Sequence, residues 1–256
     1  MRPLVTTEEA VSPSTPQIEQ HTLPTSIVLH LFPSVCVLIG TLIAAPLVVR
    51  AGFPVELGIL LSSFLLGVTI RLGYLFYQGK KQNGTFSLRG IVLYWGHMPW
   101  WHYLLIFLPF LVYALGLEVL LQPVSKTLIA HVFWWLPMAL LPSTAALKLT
   151  TATLITALLV LLLDGIIDPL VEELYYRGYL LPRLERLGWF APLINSFLFT
   201  LGHFWQPYNY LFIFLLVLPE VCLVYWKRNI KISILLHCTG NTLAALLTLI
   251  LLLQAS

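Results

Sequence analysis

The sequence predicts an all-α, polytopic transmembrane helical bundle of about eight spans, and three observations support this fold class. Hydrophobic residues make up 59% of the 256 residues and charged residues only 10%, whereas soluble domains carry about 25% charged residues. The apolar residues form successive runs of roughly 18–23 residues, each long enough to cross a hydrocarbon core of about 30 Å. These runs are continuous rather than alternating, which favours helices over a β-barrel.

Composition divides the chain into three regions. Residues 1–26 are rich in Pro, Ser, Thr and Glu, which predicts a disordered N-terminal tail. Residues 27–149 are predicted to form N-terminal transmembrane helices, and residues 150–254 a C-terminal transmembrane core. The predicted spans are 27–49, 56–77, a third ending near Leu121, 126–147, 150–168 with an amphipathic continuation to Gly188, 190–205, a seventh ending at Trp226, and 232–253.

The segment 126–147 fits a broken or interfacial helix about as well as a clean span, because Pro137 and Pro142 interrupt it. If it crosses the membrane, seven Lys and Arg residues lie on the side of the Gly188 turn and five on the other. The positive-inside rule then makes the Gly188 side cytoplasmic and places both termini outside the cytoplasm. If it does not cross, the N-terminus changes side.

Ionisable residues at membrane depth mark the candidate site. Glu172 and Glu173 come soon after the apolar run 154–167, and Arg177 lies one helical turn after Glu173. Charged groups are expensive within a bilayer and usually serve a function. A carboxylate in such a partly dry site can act as a general base that activates water. Glu173 and Arg177 are expected to form a desolvated ion pair that orients the helix and tunes Glu172.

Two histidines and an asparagine on later spans are expected to reach the same depth. Glu172 lies about 16 residues before Gly188 and His203 about 15 after it, so in a helical hairpin both lie roughly 23 Å from the turn. His237 reaches this height only if the Gly188 hairpin projects about 10 Å further than the following turn. Asn241 shares a helix face with His237. These two side chains can donate hydrogen bonds to a developing oxyanion.

The three motifs, E-E-x3-R-G, F-x3-H and H-x3-N, follow one another on neighbouring helices. They resemble the motifs of the CPBP family of intramembrane proteases, the CAAX-processing and bacteriocin-processing group also called ABI. The resemblance covers Asp164–Leu247 and implies that 150–254 is a catalytic core with its site in a membrane-embedded cavity open to the cytoplasm. The catalytic residues that it implies are Glu172, His203, His237 and Asn241, with Glu173 and Arg177 in support.

The resemblance leaves two mechanisms open. The family is named as metal-dependent, and Glu172, His203 and His237 with a water would satisfy a catalytic zinc site. Its members also resemble glutamate proteases that use no metal in catalysis. The sequence has no H-E-x-x-H motif, so the ligands of a zinc ion would have to come from three helices.

The sequence therefore predicts an intramembrane endopeptidase that is an integral multi-pass protein of the cell membrane or, in a eukaryote, of an endomembrane. Its expected partners are the lipid bilayer and a membrane-associated peptide or protein substrate, which the resemblance suggests is of the prenylated CAAX type or bacteriocin-like. The net charge is only +3 and no basic run occurs, so nucleic acid is not an expected partner.

Two alternatives assign these residues differently. In a non-catalytic membrane scaffold or immunity protein, His237 and Asn241 would only hydrogen-bond helices together. In a proton-coupled transporter, the stripe of Asp164, Asp168 and Glu172 at i, i+4 and i+8 would line a proton path. Glu220 lies where members of the family often have small glycines, and it is either a further functional acid or a partner of a basic group.

Overall fold

The computed structural model describes residues 18–137, 140–141 and 148–255, and within these residues the fold is all-helical. Six of the helices described below, all except the short apolar α5, are long and apolar enough to cross a membrane. The predicted all-α multi-pass fold is thereby confirmed. The helices are α1 (Leu23–Arg50), α2 (Glu56–Asn83), α3 (Trp100–His131), α4 (Thr151–Leu187), α5 (Phe190–Leu201), α6 (Tyr210–Lys227) and α7 (Lys231–Gln254).

The described part of the chain has fewer spans than the predicted eight. α3 does not end near Leu121 but continues through Pro123 to His131, because a membrane helix tolerates a proline within it. The first residues of the predicted span 126–147 are therefore the end of α3, and residues 132–137 form turns. Most of the remaining residues of that prediction, 138–139 and 142–147, lie outside the described residues. α5 is also shorter than predicted and ends at Leu201 rather than at residue 205.

The lower span count moves the N-terminal segment to the side of the Gly188 turn. Residues 18–26, predicted as part of a disordered tail, instead contact the end of α4 and begin α1; residues 1–17 lie outside the described residues. The His21 amide donates to the Arg183 carbonyl at 2.9 Å, and the Gln20 side chain donates to the Pro182 carbonyl at 3.1 Å. The predicted location of this end outside the cytoplasm is wrong if the Gly188 side is cytoplasmic.

The distribution of basic residues supports that orientation more strongly than the sequence predicted. Eight described Lys and Arg residues lie towards the Gly188 face of the bundle and three towards the other face. The positive-inside rule makes the Gly188 face cytoplasmic. The eight are Lys80, Lys81, Arg89, Arg183, Arg186, Lys227, Arg228 and Lys231, and the three are Arg50, Lys126 and Lys148.

Local sequence signals define both ends of α4. Thr150 and Thr153 form a reciprocal capping box: the Thr153 amide donates to the Thr150 hydroxyl at 3.1 Å and the Thr150 amide to the Thr153 hydroxyl at 2.8 Å. The helix stops at Gly188, whose φ of +56° is a conformation that glycine adopts without steric strain. The predicted start near Thr150 and end at Gly188 are both confirmed.

Pro169 disturbs the hydrogen bonding of α4 and creates a joint with α7. A proline has no N–H, so one carbonyl about a turn earlier loses its backbone donor, and the preceding stretch is π-helical. Side chains of α7 donate to two carbonyls in this turn: Asn241 to that of Asp164 at 3.1 Å and Thr242 to that of Gly165 at 3.0 Å. α4 and α7 are therefore joined at the depth of the candidate site.

The second half of α4 is the core of the bundle. The rings of Tyr175 and Tyr176 are buried, and their hydroxyls donate to backbone carbonyls of α1 at 2.9 and 3.3 Å. The loop between α2 and α3 folds back onto the same helix, where the Leu93 amide donates to the Gly178 carbonyl at 2.8 Å. The charged stretch that begins at Glu172 is consequently enclosed by other helices and by this loop.

The docking of the segment 18–22 should weaken in acid. Burial, reinforced by the charge of Arg183 and opposed by Glu19, lowers the pKa of His21 from 6.5 to about 4. The undocked segment therefore takes up a proton first, and docking should be at full strength above pH 6.5 and be lost progressively down to pH 4. The protection factor of the His21 amide in hydrogen exchange measures this. It should fall over that range in wild type and be nearly flat in His21→Gln; a flat wild-type profile would contradict the prediction.

Candidate active site

Glu172 contacts groups from two other helices. Its side chain is 11% exposed; Oε1 lies 2.9 Å from Nη2 of Arg71 on α2, and Oε2 lies 3.9 Å from Nε2 of His237 on α7. The structure thus places Glu172 and His237 close together, which the residue count along the helices allowed only if the Gly188 hairpin projects further than the following turn. The 3.9 Å separation is too long for a direct hydrogen bond. The two atoms face each other across a gap at which both retain hydrogen-bonding capacity.

Arg71 is the residue of this site that sequence reasoning missed. Its side chain is 1% exposed, and Nη1 lies 2.5 Å from Oδ1 of Asp168 while the other terminal nitrogen contacts Glu172. Asp168 also accepts a hydrogen bond from Ser63. One buried guanidinium therefore compensates two carboxylates on successive turns of α4. The sequence does contain a signal for it, because an arginine within an apolar span is as unusual as the two adjacent glutamates.

Glu173 contacts the other ring nitrogen of His237. Its Oε1 accepts a hydrogen bond from Nδ1 of His237 at 2.9 Å, and its Oε2 lies 3.3 Å from Nε of Arg177 one turn along the helix. The ion pair expected between Glu173 and Arg177 is present and fully buried. Because Nδ1 carries the hydrogen in this bond, the ring presents Nε2 towards Glu172. The carboxylate thus fixes both the orientation and the tautomer of the histidine.

The phenylalanine of the F-x3-H motif explains how the three motifs meet. The ring of Phe199 lies 4.1 Å from the guanidinium carbon of Arg177, which is a cation–π distance. The same ring has its centroid 4.8 Å from that of His203 and 6.3 Å from that of His237. Phe199 is therefore a shared packing surface for the charged pair and both histidines.

His203 lies at the edge of this cluster. Its Nδ1 donates to the Phe199 carbonyl at 2.9 Å, which leaves Nε2 with the lone pair in a neutral ring. In the part of the chain that the structure describes, no hydrogen bond joins His203 to Glu172. Its ring centroid lies 5.2 Å from that of Trp205. The structure thus brings His203 beside the predicted partners through Phe199 rather than through a direct polar contact.

Asn241 uses one of its two amide hydrogens to join two helices. One amide hydrogen donates to the Asp164 carbonyl in the joint described above. The second amide hydrogen remains for another acceptor. The interpretation of Asn241 as a tie between helices is therefore correct, and it does not remove the residue as a donor to a substrate.

The remaining acids have different environments. Asp168 pairs with Arg71, whereas Asp164 is an exposed residue that interacts electrostatically with Asp168 and His237. Glu220 on α6 is 4% exposed, and within the described residues its Oε1 has no hydrogen-bond partner. The proline before it does not interrupt α6. Glu220 adds a further buried carboxyl that interacts electrostatically with Glu173.

The arrangement fits a metal ion poorly. Among the described residues, no three His, Cys, Asp or Glu side chains are grouped closely enough to hold one. The carboxylate of Glu172 is already neutralised by Arg71, and His237 uses one ring nitrogen on Glu173. A divalent cation beside Glu172 would also experience repulsion from the fixed guanidinium charge. We therefore derive no chemical step through a metal held by Glu172, His203 and His237.

The segment that forms this site matches a known family. Residues 154–243 match the family model described as Rce1-like type II CAAX prenyl endopeptidases. The matched segment is about a third of the chain. The match confirms the resemblance that the motifs indicated, and it indicates a peptidase. Together with the six candidate spans, it supports the predicted integral multi-pass membrane location. No curated protein and no solved structure matches the chain.

Removing the shared cation of this site should destabilise the bundle. Arg71→Met leaves the carboxylates of Asp168 and Glu172 buried without their counter-charge, and breaking a buried pair in this way costs about 3–5 kcal/mol. Thermal unfolding of the purified protein in detergent measures the loss. Arg50→Met, at the exposed end of α1, is the control and should be near neutral. The double variant Arg71→Met/Asp168→Asn should recover part of the loss; an unchanged unfolding temperature in Arg71→Met would refute the role given to this residue.

Proposed function

We propose that this protein is an intramembrane endopeptidase in which Glu172 activates water to hydrolyse a peptide bond of a membrane-associated substrate. The match to Rce1-like type II CAAX prenyl endopeptidases supports the peptidase class. The observation that carries the assignment to residues is the alignment of Glu172, His237 and Glu173 across α4 and α7. A histidine held in orientation by a carboxylate is a recurring element of hydrolytic active sites.

The two carboxylate oxygens of Glu172 have different roles: one holds the group in place and the other acts as the base. Oε1 is held by Arg71 at 2.9 Å, which fixes the carboxylate in place. Oε2 faces Nε2 of His237 across 3.9 Å, so a water bound beside this gap would be within hydrogen-bond reach of both groups. Nε2 of His203, left with its lone pair by the bond to Phe199, would orient the same water. Oε2 is thus the oxygen that takes the proton.

The reaction then needs one proton to travel and one oxyanion to be stabilised. As the water oxygen attacks the carbonyl carbon, Oε2 of Glu172 accepts the water proton. The oxyanion that forms would receive hydrogen bonds from the second amide hydrogen of Asn241 and from His237 with a proton on Nε2. The carboxylate of Glu173, bound to Nδ1 of His237, would balance the positive charge of that ring. Collapse of the intermediate breaks the C–N bond, and Glu172 returns the proton to the departing amine.

The substrate class follows from where the site lies. Glu172 is buried among helices of the bilayer-spanning bundle, so a substrate has to bring its peptide bond to membrane depth. The description of the matching family names CAAX prenyl endopeptidases. We therefore propose a lipidated C-terminal peptide of the prenylated CAAX type as the first substrate to test, with a bacteriocin-like peptide as the second.

Replacing the proposed base should abolish cleavage without unfolding the protein. Glu172→Gln keeps an oxygen for Arg71 but removes the base, and the loss should be about 10²-fold or more. Mass spectrometry of peptide termini in membranes with equal amounts of wild type or variant measures it. Glu118→Gln, an exposed carboxyl on α3, is the matched control. Wild-type termini in the Glu172→Gln sample would end the proposal, and a cellular function that survives in that variant would favour the scaffold.

The proposed mechanism also predicts behaviour under metal removal. Cleavage of a CAAX-type peptide in liposomes should persist after exhaustive dialysis against a chelator, because the guanidinium of Arg71 supplies the positive charge beside Glu172. The measurement is the initial rate before and after dialysis, with metal analysis of the same sample. Activity that disappears and returns with zinc would contradict the metal-free mechanism while leaving the peptidase assignment intact.

A further inference from the structure

A concave site lies on the cytoplasmic face, at residues other than those of the candidate active site. It is a cavity of about 310 Å³ between the first turns of α3 and the last turn of α6. None of its lining residues belongs to the three motifs. The lining residues that matter below are His97, His102, Leu105, Leu223 and Lys227.

The cavity has a polar mouth and an apolar interior. Lys227, His97 and His102 lie at the end that faces the cytoplasm, whereas Leu105 and Leu223 lie about one turn further into the membrane along their helices. An amphiphile with a polar head and an apolar chain would match this order of side chains. A purely polar solute would leave the inner half without a partner.

Lys227 is a cation without a carboxylate partner. Among the described residues no acid lies within ion-pair distance of its ammonium, while its neighbour Arg228 is paired with Glu185. The ammonium lies 3.6 Å from the ring centroid of Trp226, which is 62% exposed on the surface that faces lipid. A tryptophan and a lysine side by side are typical of the membrane interface. This charge is therefore held at the level of lipid headgroups.

One further group of the lining lacks a partner. Nδ1 of His102 is buried, and in the part of the chain described here it makes no hydrogen bond. The backbone amide of the same residue is already bonded, since it donates to the Pro99 carbonyl at 3.1 Å. A buried polar atom without a hydrogen bond is destabilising, and an acceptor bound at the mouth would remove that cost.

We propose that this cavity binds one anionic phospholipid of the cytoplasmic leaflet. The headgroup phosphate would lie between Lys227 and His102, and one acyl chain would run along Leu105 and Leu223 into the bilayer. Charge complementarity favours an anionic over a zwitterionic lipid, since basic pockets between membrane helices on the cytoplasmic side bind anionic headgroups. The apolar inner half favours a lipid over free phosphate. This site is independent of the proposed peptidase activity.

Retention of individual lipids by the purified protein tests the proposal. The protein is reconstituted in vesicles of equal parts phosphatidylcholine and phosphatidylglycerol, extracted, and examined by native mass spectrometry for bound lipid. We expect one phosphatidylglycerol per chain in wild type. Lys227→Gln should lower the bound fraction relative to the unbound about fivefold, the effect of one lysine near an anionic surface. Lys81→Gln, which removes an exposed lysine on the same face but outside the cavity, should leave it unchanged.

The controls separate this site from its alternatives. Equal retention of the two lipids by wild type, or equal losses in Lys227→Gln and Lys81→Gln, would overturn the proposal. Inorganic phosphate provides the other arm: if it raises the unfolding temperature in detergent as much as phosphatidylglycerol does, the cavity is a phosphate site and the lipid assignment fails. If Lys227→Gln unfolds at a lower temperature than wild type, His102→Gln replaces it as the test variant, with the same expected selective loss of phosphatidylglycerol.

Discussion

Charge compensation within a low-dielectric bundle is the constraint on which this structure depends. An uncompensated charge inside a bilayer or a protein core is far more costly than one at a surface, and partners reduce the cost only when their geometry is close. α4 carries Asp168, Glu172 and Glu173, which receive compensation from Arg71 and Arg177. The packing of α2 against α4 is therefore tied to the same atoms that the proposed chemistry would use.

This compensation also distinguishes the two glutamates. Glu173 is fully enclosed: one oxygen accepts a hydrogen bond from His237, and the other forms an ion pair with Arg177 without a hydrogen bond among the described residues. Glu172 binds an arginine with only one oxygen, and the other faces His237 across a gap. Adjacent identical residues thus differ because successive positions of a helix point about 100° apart. The difference supports Glu172 as the reactive group and Glu173 as the group that orients His237.

Much of this arrangement could be predicted from the sequence, and the errors have physical causes. Counting residues from the turns matched the depth of Glu172 with that of His203 directly, and with that of His237 only on the assumption of a projecting hairpin. The ends of α4 follow from a capping box and a glycine. The extra span arose because the third span was predicted to end near Leu121 and a new one to begin at 126, whereas α3 continues through Pro123 to His131. Arg71 was missed because the motifs are local in sequence, whereas its partners are contributed by a distant helix. Only the three-dimensional packing shows which oxygen each cation engages.

The proline in α4 has a consequence for how the protein is assembled in the membrane. Without Asn241 and Thr242, the carbonyls of Asp164 and Gly165 lack their side-chain donors in a solvent that offers no hydrogen bonds. A chain made from its N-terminus inserts α4 before α7 has been synthesised. α4 would then be incomplete as a membrane helix until the last helix arrives. Final burial of the acidic stretch would thus be a late step of biogenesis.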